Sequence, residues 1–244
     1  MAFRLARPAH LVDINRVAGL DRLAVENDAL AIGACVRHAA FHRPVAAGPL
    51  GDLLAFVVRH IAHYPIRTRG TFCGSLAHAD PASEWCLVAA TLGGEIAAKS
   101  ARGTRKIAAA DFFQGLMATA LADDELLENA RLPVLAADTR WGFYEFSRRA
   151  GDYALAMALA TFRLEQGVMV EPRVGLGGVE VFPRRIPEAE AVLTGKPPEI
   201  GIFRRAAEAA ADVIDPLEDI QASAEYRRDL VRAVARRALE RAAA

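Results

Sequence analysis

The sequence predicts a mixed fold of helices and sheets in two parts, with a boundary near residue 138. Before that point, short apolar runs bounded by Asn, Asp and Gly alternate with helical segments, a pattern typical of α/β structure. Beyond it, alternating apolar and polar residues predict an antiparallel sheet, and the last third is helical. The chain has 244 residues and is 53% hydrophobic, which is enough for one sizeable core or two modest ones.

The first part opens with two predicted strands, over residues 10–14 and 28–36, where Val, Ile and Leu occur in brief runs. Asp52 is placed to cap a helix over residues 53–64, which Pro65 ends.

A second helix is predicted over residues 84–92, with Ser83 as its cap and Gly93-Gly94 as its end. Three elements follow it: a hairpin with its turn near Arg102-Gly103, a helix over residues 112–121 capped by Asp111, and an extended segment over residues 125–134.

The second part begins with an antiparallel hairpin or meander that turns at Gln166-Gly167. Three helices follow, over residues 188–196, 203–214 and 223–244, and Ser223 caps the last. The arginines of that helix alternate with acidic residues, which fits a solvated face; a docking surface for a partner subunit is the alternative. They are Arg227, Arg228, Arg232, Arg236, Arg237 and Arg241.

Charge and composition exclude several classes of function. Lys plus Arg and Asp plus Glu both number 30, so a nucleic-acid partner is not expected. No apolar run reaches the roughly 20 residues that span a bilayer, and "MAFRLARPAH" does not resemble a signal peptide, so a cytoplasmic location is expected. The three cysteines are odd in number and widely spaced, which indicates reduced thiols rather than a disulfide framework or an iron–sulfur site.

The segment "RGTFCGSLAHADP", residues 69–81, concentrates small and hydrogen-bonding residues between two apolar helices. Gly70 and Gly74 would let a ligand approach the main chain, and Thr71 and Ser75 add hydroxyl groups. Exposed N–H groups in such a loop can bind phosphate oxygens. An ordinary turn between two helices explains the composition equally well.

Neighbouring carboxylates also have two interpretations. Asp80 and Glu84 bracket Pro81 at the start of the next helix, where an acid favours the positive end of the helix dipole. Alternatively, they accept hydrogen bonds from ribose hydroxyls or from a ring.

His60 and His63 share a helix face, but no third metal ligand lies nearby in sequence. His78 lies inside the loop, where it could contact a ligand or hold the loop by a hydrogen bond. Cys73 could be a nucleophile with His78 as its base, although a small loop residue is the better interpretation.

The stretch "IRTRGTFCGSLAHADPASEW", residues 66–85, closely resembles the second flavin-binding segment of the FAD-containing medium subunit of molybdenum hydroxylases. Thr68 replaces the family's Asn, and Cys73-Gly74 replaces its double glycine. The family includes the flavin subunits of bacterial carbon monoxide dehydrogenase and of xanthine dehydrogenase-type enzymes. Further blocks in family order extend the resemblance over almost the whole chain: "HLVDINRVAGL", "LAIGACV", "DFFQGLMATAL", "FSRRAGDYALA" and "SAEYRRDLVRAVARRAL".

This resemblance implies an α+β, PCMH-type FAD-binding domain over residues 1–138 and a smaller C-terminal domain over 139–244 with an antiparallel sheet and helices. It implies an oxidoreductase subunit that passes electrons through FAD to an external acceptor. The electrons would come from 2Fe-2S clusters on a small subunit, fed by a molybdenum cofactor on a large subunit. The chain would therefore be part of a hetero-oligomer, with no metal of its own.

Carried over by position, the resemblance implies which residues contact FAD. The segment itself would line the cofactor, Glu84 matches a family carboxylate, and Leu127 matches a residue packed near the ring. The full expected cofactor-binding set is Thr71, Phe72, Cys73, Gly74, Ser75, Glu84, Leu127, Gly33 and Asp80. No residue is expected to act as an acid, base or nucleophile, because the flavin performs the redox chemistry.

The chain departs from the family in two places. Relatives carry an earlier glycine-rich segment that cradles the pyrophosphate, and this chain starts after it. Some relatives carry a Lys near the flavin ring, where this chain has Tyr144, Glu145 and Phe146. The first departure motivates a second hypothesis, a flavin-free subunit that only holds the complex together.

Overall fold

The structure, a computed structural model, describes residues 8–244, so the start of the segment examined for a signal peptide lies outside it. The strands are β1 (Leu23–Glu26), β2 (Ala29–Gly33), β3 (Glu95–Ser100), β4 (Gly103–Ala108), β5 (Phe113–Gly115), β6 (Ala118–Thr119), β7 (Leu126–Pro133), β8 (Arg140–Phe146), β9 (Ala156–Glu165), β10 (Val168–Gly177) and β11 (Arg184–Arg185). The helices are α1 (Pro49–Val57), α2 (Tyr64–Arg67), α3 (Phe72–His78), α4 (Glu84–Leu92), α5 (Ala109–Phe112), α6 (Pro187–Leu193), α7 (Ile200–Val213) and α8 (Ala224–Ala243), with a 3-10 helix at His38–His42.

The first part of the chain forms a five-stranded sheet in the order β1-β2-β7-β3-β4. Every neighbouring pair of strands in it is antiparallel, so this part is α+β, as the resemblance implies, and not the α/β alternation that the sequence pattern suggests. Helices α3 and α4 pack against the sheet around a core of large aromatic side chains, including Phe41, Phe72 and Trp85.

The second part forms a four-stranded antiparallel sheet in the order β11-β10-β9-β8. Helix α8 packs on β8 and β9, and α7 packs on α8. The main chains of α8 and β8 approach so closely that a Cβ atom on Gly142 would lie 2.0 Å from the carbonyl oxygen of Ala238. Within the described chain, no helix has both the length and the apolar character needed to cross a membrane.

Helix α4 is shared by both parts. It packs against β7 of the first sheet and against β9 and β10 of the second, and all nine of its residues are buried. A side chain as small as a methyl group has no room where α4 meets β10, because a Cβ atom on Gly175 would lie 1.9 Å from Thr91 Oγ1. The two sheets therefore bury their facing sides against one helix.

A pair of buried carboxylates also lies between the two parts. Glu84 begins α4 and Glu145 lies on β8, where its Oε2 atom is buried without a hydrogen-bond partner among residues 8–244. Burial raises the pKa of Glu145, and repulsion from Glu84 raises it further. Burial also raises the pKa of Glu84, with a contribution from Asp80. The pair therefore holds a proton at pH values at which an exposed glutamate is ionised.

Most of the predicted elements are present. Strand β2, helix α4 from its Ser83 cap to Gly93, the β3–β4 hairpin, strand β7, the β9–β10 hairpin and the last three helices all form. The Ser223 side chain caps α8 by accepting a hydrogen bond from the Tyr226 N–H at 3.2 Å.

Three predicted elements are wrong. Residues 10–14 form no strand, because Leu11 and Val12 are exposed and pair with no other strand in the described chain. Residues 112–121 form the short β5–β6 hairpin instead of a helix, since Gly115 and Met117 adopt positive φ angles that break the helix. Helix α1 begins four residues earlier than predicted, at Pro49, so Asp52 lies in its first turn and does not cap it. The helix also ends at Val57, and Pro65 does not end it but lies in the first turn of α2.

The arginines of the last helix are also less solvated than predicted. Arg227 is only 3% exposed. Arg241 donates to the Phe143 carbonyl oxygen at 2.7 Å, and Arg237 donates to the Tyr144 hydroxyl, so both contact β8. The predicted helical pair of Arg236 with Glu240 does form, at 2.6 Å.

Replacing Gly142 by Ala tests the close approach of α8 to β8. The added methyl group would overlap the main chain of α8, so we expect the Gly142→Ala variant to lose about 2–3 kcal/mol of unfolding free energy in urea titrations. Gly201→Ala is the matched control, because nothing lies within 4 Å of a Cβ atom there. An equal effect of both substitutions would contradict the close packing.

The carboxylate pair predicts how stability depends on pH. Raised pKa values mean that the folded state keeps a proton that the unfolded state has released, so the free energy of unfolding should fall as the pH rises from about 5 to about 8. The Glu145→Gln variant should lose the part of this slope that Glu145 contributes, keep the part that Glu84 contributes, and be more stable than the parent by about 1–2 kcal/mol at the upper end. Urea titrations across this range would measure it.

Glu225→Gln, at an exposed position in the first turn of α8, is the control for that experiment. Its slope should match that of the parent chain. A parent chain whose stability does not change with pH, or a Glu145→Gln variant with the parent slope, would show that the pair does not hold a proton.

Candidate functional site

A cleft runs between α3 and the start of α4 on one side and the segment before β9 on the other. One part of the cleft has a volume of about 430 Å³ and the other of about 290 Å³. His38, Ser75 and His78 line both parts, so the two volumes adjoin each other at these residues. Such a long cleft suits an extended ligand better than a compact one.

Residues 72–78, which the sequence suggested to be a loop, form helix α3. Thr71 is its cap, because its Oγ1 atom accepts a hydrogen bond from the Gly74 N–H at 2.9 Å. The Phe72 N–H donates to the Val36 carbonyl oxygen at 3.0 Å, and the Ser75 N–H donates to that of Thr71 at 3.1 Å. The segment therefore presents one face of a capped helix to the cleft rather than a row of free N–H groups.

The two glycines of this segment are required by space and not by unusual backbone angles. Neither Gly70 nor Gly74 has a positive φ angle. A Cβ atom on Gly70 would lie 2.5 Å from His38 Nε2, and one on Gly74 would lie 2.6 Å from Thr71 Oγ1. A side chain at either position would therefore push on the ring or on the helix cap that lines the cleft.

The larger part of the cleft is positively charged. Arg37 and Arg69 line it, and no carboxylate does. Arg37 is fixed by donating to Asn15 Oδ1 at 2.5 Å and to the Arg69 carbonyl oxygen. Two guanidinium groups at one end of the cleft form a suitable environment for phosphate.

The smaller part of the cleft combines apolar and aromatic surface with negatively charged groups. Ile61 and Ile66 provide apolar surface, and Tyr153 lies at the opening with 69% of its surface exposed. The carboxylates of Asp80, Glu84 and Asp152 also line this part. An aromatic ring system that carries N–H or O–H donors fits these surroundings.

The structure brings five of the predicted cofactor-binding residues to this cleft: Thr71, Gly74, Ser75, Asp80 and Glu84. The other four lie elsewhere. Phe72, Cys73 and Leu127 are buried in the core, and Gly33 lines a separate surface groove beside Asn129.

A nucleophilic role for Cys73 is wrong. Its Sγ atom lies 3.3 Å from the Ile32 carbonyl oxygen, and burial strongly raises the pKa of its thiol. The metal hypothesis for His60 and His63 also lacks support, because both lie between α1 and α2 and share no helix face. His60 packs on Phe56 and Phe143, while the His63 ring lies against Gly151. Within residues 8–244, no group of three or more His, Cys, Asp or Glu side chains could hold a metal ion.

Sequence reasoning missed three residues that line the cleft, His38, Arg37 and Tyr153. Tyr153 belongs to the block "FSRRAGDYALA", so the resemblance contained a signal for it. The histidine and the arginine precede the first helix, and no local pattern there suggests a site.

Two families match this chain in succession. Residues 1–135 match the family described as "FAD binding domain in molybdopterin dehydrogenase", and residues 141–242 match "CO dehydrogenase flavoprotein C-terminal domain". The nicotine 6-hydroxylase medium subunit of Paenarthrobacter nicotinovorans is 39% identical over 244 residues, which are 100% of this chain and 86% of that protein. The match to an FAD-binding domain disfavours the flavin-free hypothesis.

Solved structures agree with the sequence comparisons. A carbon monoxide dehydrogenase structure from Hydrogenophaga pseudoflava has a TM-score of 0.93 at 31% identity, covering 98% of this chain and 84% of that one. Quinoline 2-oxidoreductase from Pseudomonas putida 86 has a TM-score of 0.92 at 35% identity, covering 99% of this chain and 85% of that one. This chain therefore belongs to the FAD-binding medium subunits of the molybdenum hydroxylases.

Proposed function

We propose that FAD occupies the cleft, with its phosphates in the part lined by Arg37 and Arg69 and its ring in the part lined by Tyr153. The observation that carries this proposal is the change in character between the two adjoining parts of the cleft, from two guanidinium groups to an exposed aromatic ring and carboxylates. A flavin nucleotide has the same change along its length, from anionic phosphates to an aromatic ring system with an N–H donor.

The residues of the cleft divide into two groups by their chemistry. Thr71, Gly74 and Ser75 form the helix face that the phosphate-bearing portion would contact. Asp80 and Glu84 supply acceptors for the hydroxyl and N–H groups of the cofactor.

The remaining predicted residues do not line the cleft but support the elements that form it. Phe72 and Cys73 fix α3 by burying their side chains in the core, where Leu127 of β7 also packs. Gly33 ends the neighbouring strand β2. These residues support the cleft without lining it.

When bound, FAD supplies the redox chemistry by accepting electrons and passing them to an external acceptor. The chain itself binds and orients the cofactor and covers part of it from water. Its thiols take no part, because burial raises the pKa of Cys35 and raises those of Cys73 and Cys86 far above neutral pH. No step requires an acid, a base or a nucleophile from this chain.

The chain works within a hetero-oligomer, with an iron–sulfur small subunit as electron donor and a molybdenum-cofactor large subunit as the site of substrate oxidation. Its FAD-binding domain extends to about residue 138, and its C-terminal domain completes the cleft through Tyr153. The location is the cytoplasm, which suits its three free thiols.

Direct measurement of flavin binding tests the proposal. We expect the purified chain, mixed with FAD and passed through gel filtration, to retain flavin absorption at close to one equivalent. A colourless protein under these conditions, with an intact far-UV circular dichroism spectrum, would contradict FAD binding in this cleft.

The Arg69→Gln variant tests where the phosphates lie. Removing this guanidinium should weaken FAD binding about 5-fold at low salt, because charge-assisted contacts to phosphate are stronger than neutral ones. The affinity of the variant should also depend less on salt concentration. Titrations of flavin fluorescence would measure both effects.

Arg205→Gln is the matched control, since this exposed arginine of α7 lies outside the cleft. Its FAD affinity and salt dependence should equal those of the parent chain. Equal behaviour of the Arg69 and Arg205 variants would place the phosphates elsewhere.

A further inference from the structure

His38 lies where the two parts of the cleft meet. It begins the 3-10 helix, lines both parts and is 5% exposed. Its main-chain N–H donates to the Gly70 carbonyl oxygen at 3.0 Å, which ties it to the segment before α3. Each polar atom of a side chain so deeply buried is expected to have a hydrogen-bond partner.

One ring nitrogen of His38 has a defined partner. The Trp85 indole N–H donates to His38 Nδ1 at 2.9 Å. An indole nitrogen can only donate, so Nδ1 must accept and carries no proton. The single proton of the neutral imidazole is therefore on Nε2, and Trp85 selects this tautomer.

The ring also remains uncharged. Burial, together with repulsion from the guanidinium groups of Arg37 and Arg67, lowers the pKa of His38 to about 4. Protonation of Nδ1 would in addition place two N–H donors against each other. His38 is therefore a neutral donor at physiological pH.

The Nε2–H group has no acceptor in the described chain. No carbonyl or side-chain atom of residues 8–244 accepts a hydrogen bond from it, and Nε2 is not among the atoms fully shielded from solvent. It lies beside Gly70, the position at which any side chain would collide with the ring. The absence of a side chain there leaves the donor open to the cleft.

We infer that His38 contacts the cofactor directly, by donating its Nε2–H to an oxygen atom of the bound flavin nucleotide, and that Trp85 positions this donor. The inference rests on the proposed FAD site and adds a residue to it. Because His38 lies between the guanidinium end and the aromatic end of the cleft, the accepting oxygen belongs to the chain that links ring and phosphates. A neutral donor serves either a hydroxyl or a phosphate oxygen there.

Two substitutions distinguish the loss of the Nε2–H donor from the loss of the hydrogen bond between Trp85 and His38. In His38→Asn, the amide oxygen can replace Nδ1 as the acceptor for Trp85, but the amide NH2 group stops short of the former position of Nε2. In His38→Gln, the longer side chain places an N–H group near the former position of Nε2. We expect the FAD dissociation constant to rise about 10-fold in His38→Asn and to return to within about 3-fold of the parent value in His38→Gln.

A spectroscopic signal tests the contact without a substitution. Imidazole ¹H–¹⁵N spectra of the full chain, labelled at histidine, should show His38 as the Nε2–H tautomer, assigned by its loss in His38→Asn. Its Hε2 resonance should shift when FAD is added. Trp85→Phe should instead give a mixture of tautomers, because the donor that selects one is gone.

His10→Asn, at an exposed histidine, is the control and should bind FAD as the parent chain does. If the parent binds FAD but His38→Asn binds it equally tightly and the Hε2 signal does not move, His38 makes no contact and the proposed site stands without it. If the parent chain itself does not bind FAD, the proposed site fails and this inference fails with it.

Discussion

The structure depends on burying the short helix α4 on every side. A fully buried helix must satisfy the free N–H and C=O groups at its ends inside the protein. The Leu92 carbonyl oxygen accepts from the Arg173 guanidinium of β10, and the Gly94 N–H donates to the Ala89 carbonyl oxygen at 2.8 Å. The second sheet thus completes the hydrogen bonding of a helix that belongs to the first part. This requirement joins the two parts of the chain and determines where the cleft between them lies.

The sequence predicted the elements whose signals are local. Helix α4 has a capping serine, an apolar run and a glycine pair, and the hairpins have glycine turns, so each could be recognised without knowledge of the rest. Helix α3 could not, because Gly74, Ser75 and Thr71 are typical of turns and only the Thr71 side chain, acting as a cap, starts the helix. The strand predicted over residues 10–14 failed for the converse reason, since an apolar pattern forms a strand only where a partner strand is present.

The candidate site was predictable to the extent that it lies within one continuous segment. The residues from Thr71 to Glu84 were identified from composition and family resemblance, and five of the predicted residues do line the cleft. His38 was not identified from the sequence, because its role depends on a hydrogen bond from Trp85, which lies 47 residues away in the chain. A tautomer that is set by a hydrogen bond to a distant indole cannot be recognised from the sequence around the histidine. For the same reason the raised pKa of Glu145 could not be expected, since burial and Glu84 cause it.

The second part of the chain does more than cover the first, because it contributes the aromatic side of the cleft. Tyr153 lies on the irregular segment that precedes β9, and such a segment needs support to hold a side chain in place. Arg227 of α8 supplies it: the buried guanidinium donates to the carbonyl oxygens of Leu155 and Gly178, each at 2.7 Å, and pairs with Asp219. Because a buried charge is stable only when its hydrogen bonds are made, the docking of α8 and the shape of this segment depend on each other. The cleft therefore exists only in the complete fold, in which α4 and α8 hold the two sheets together.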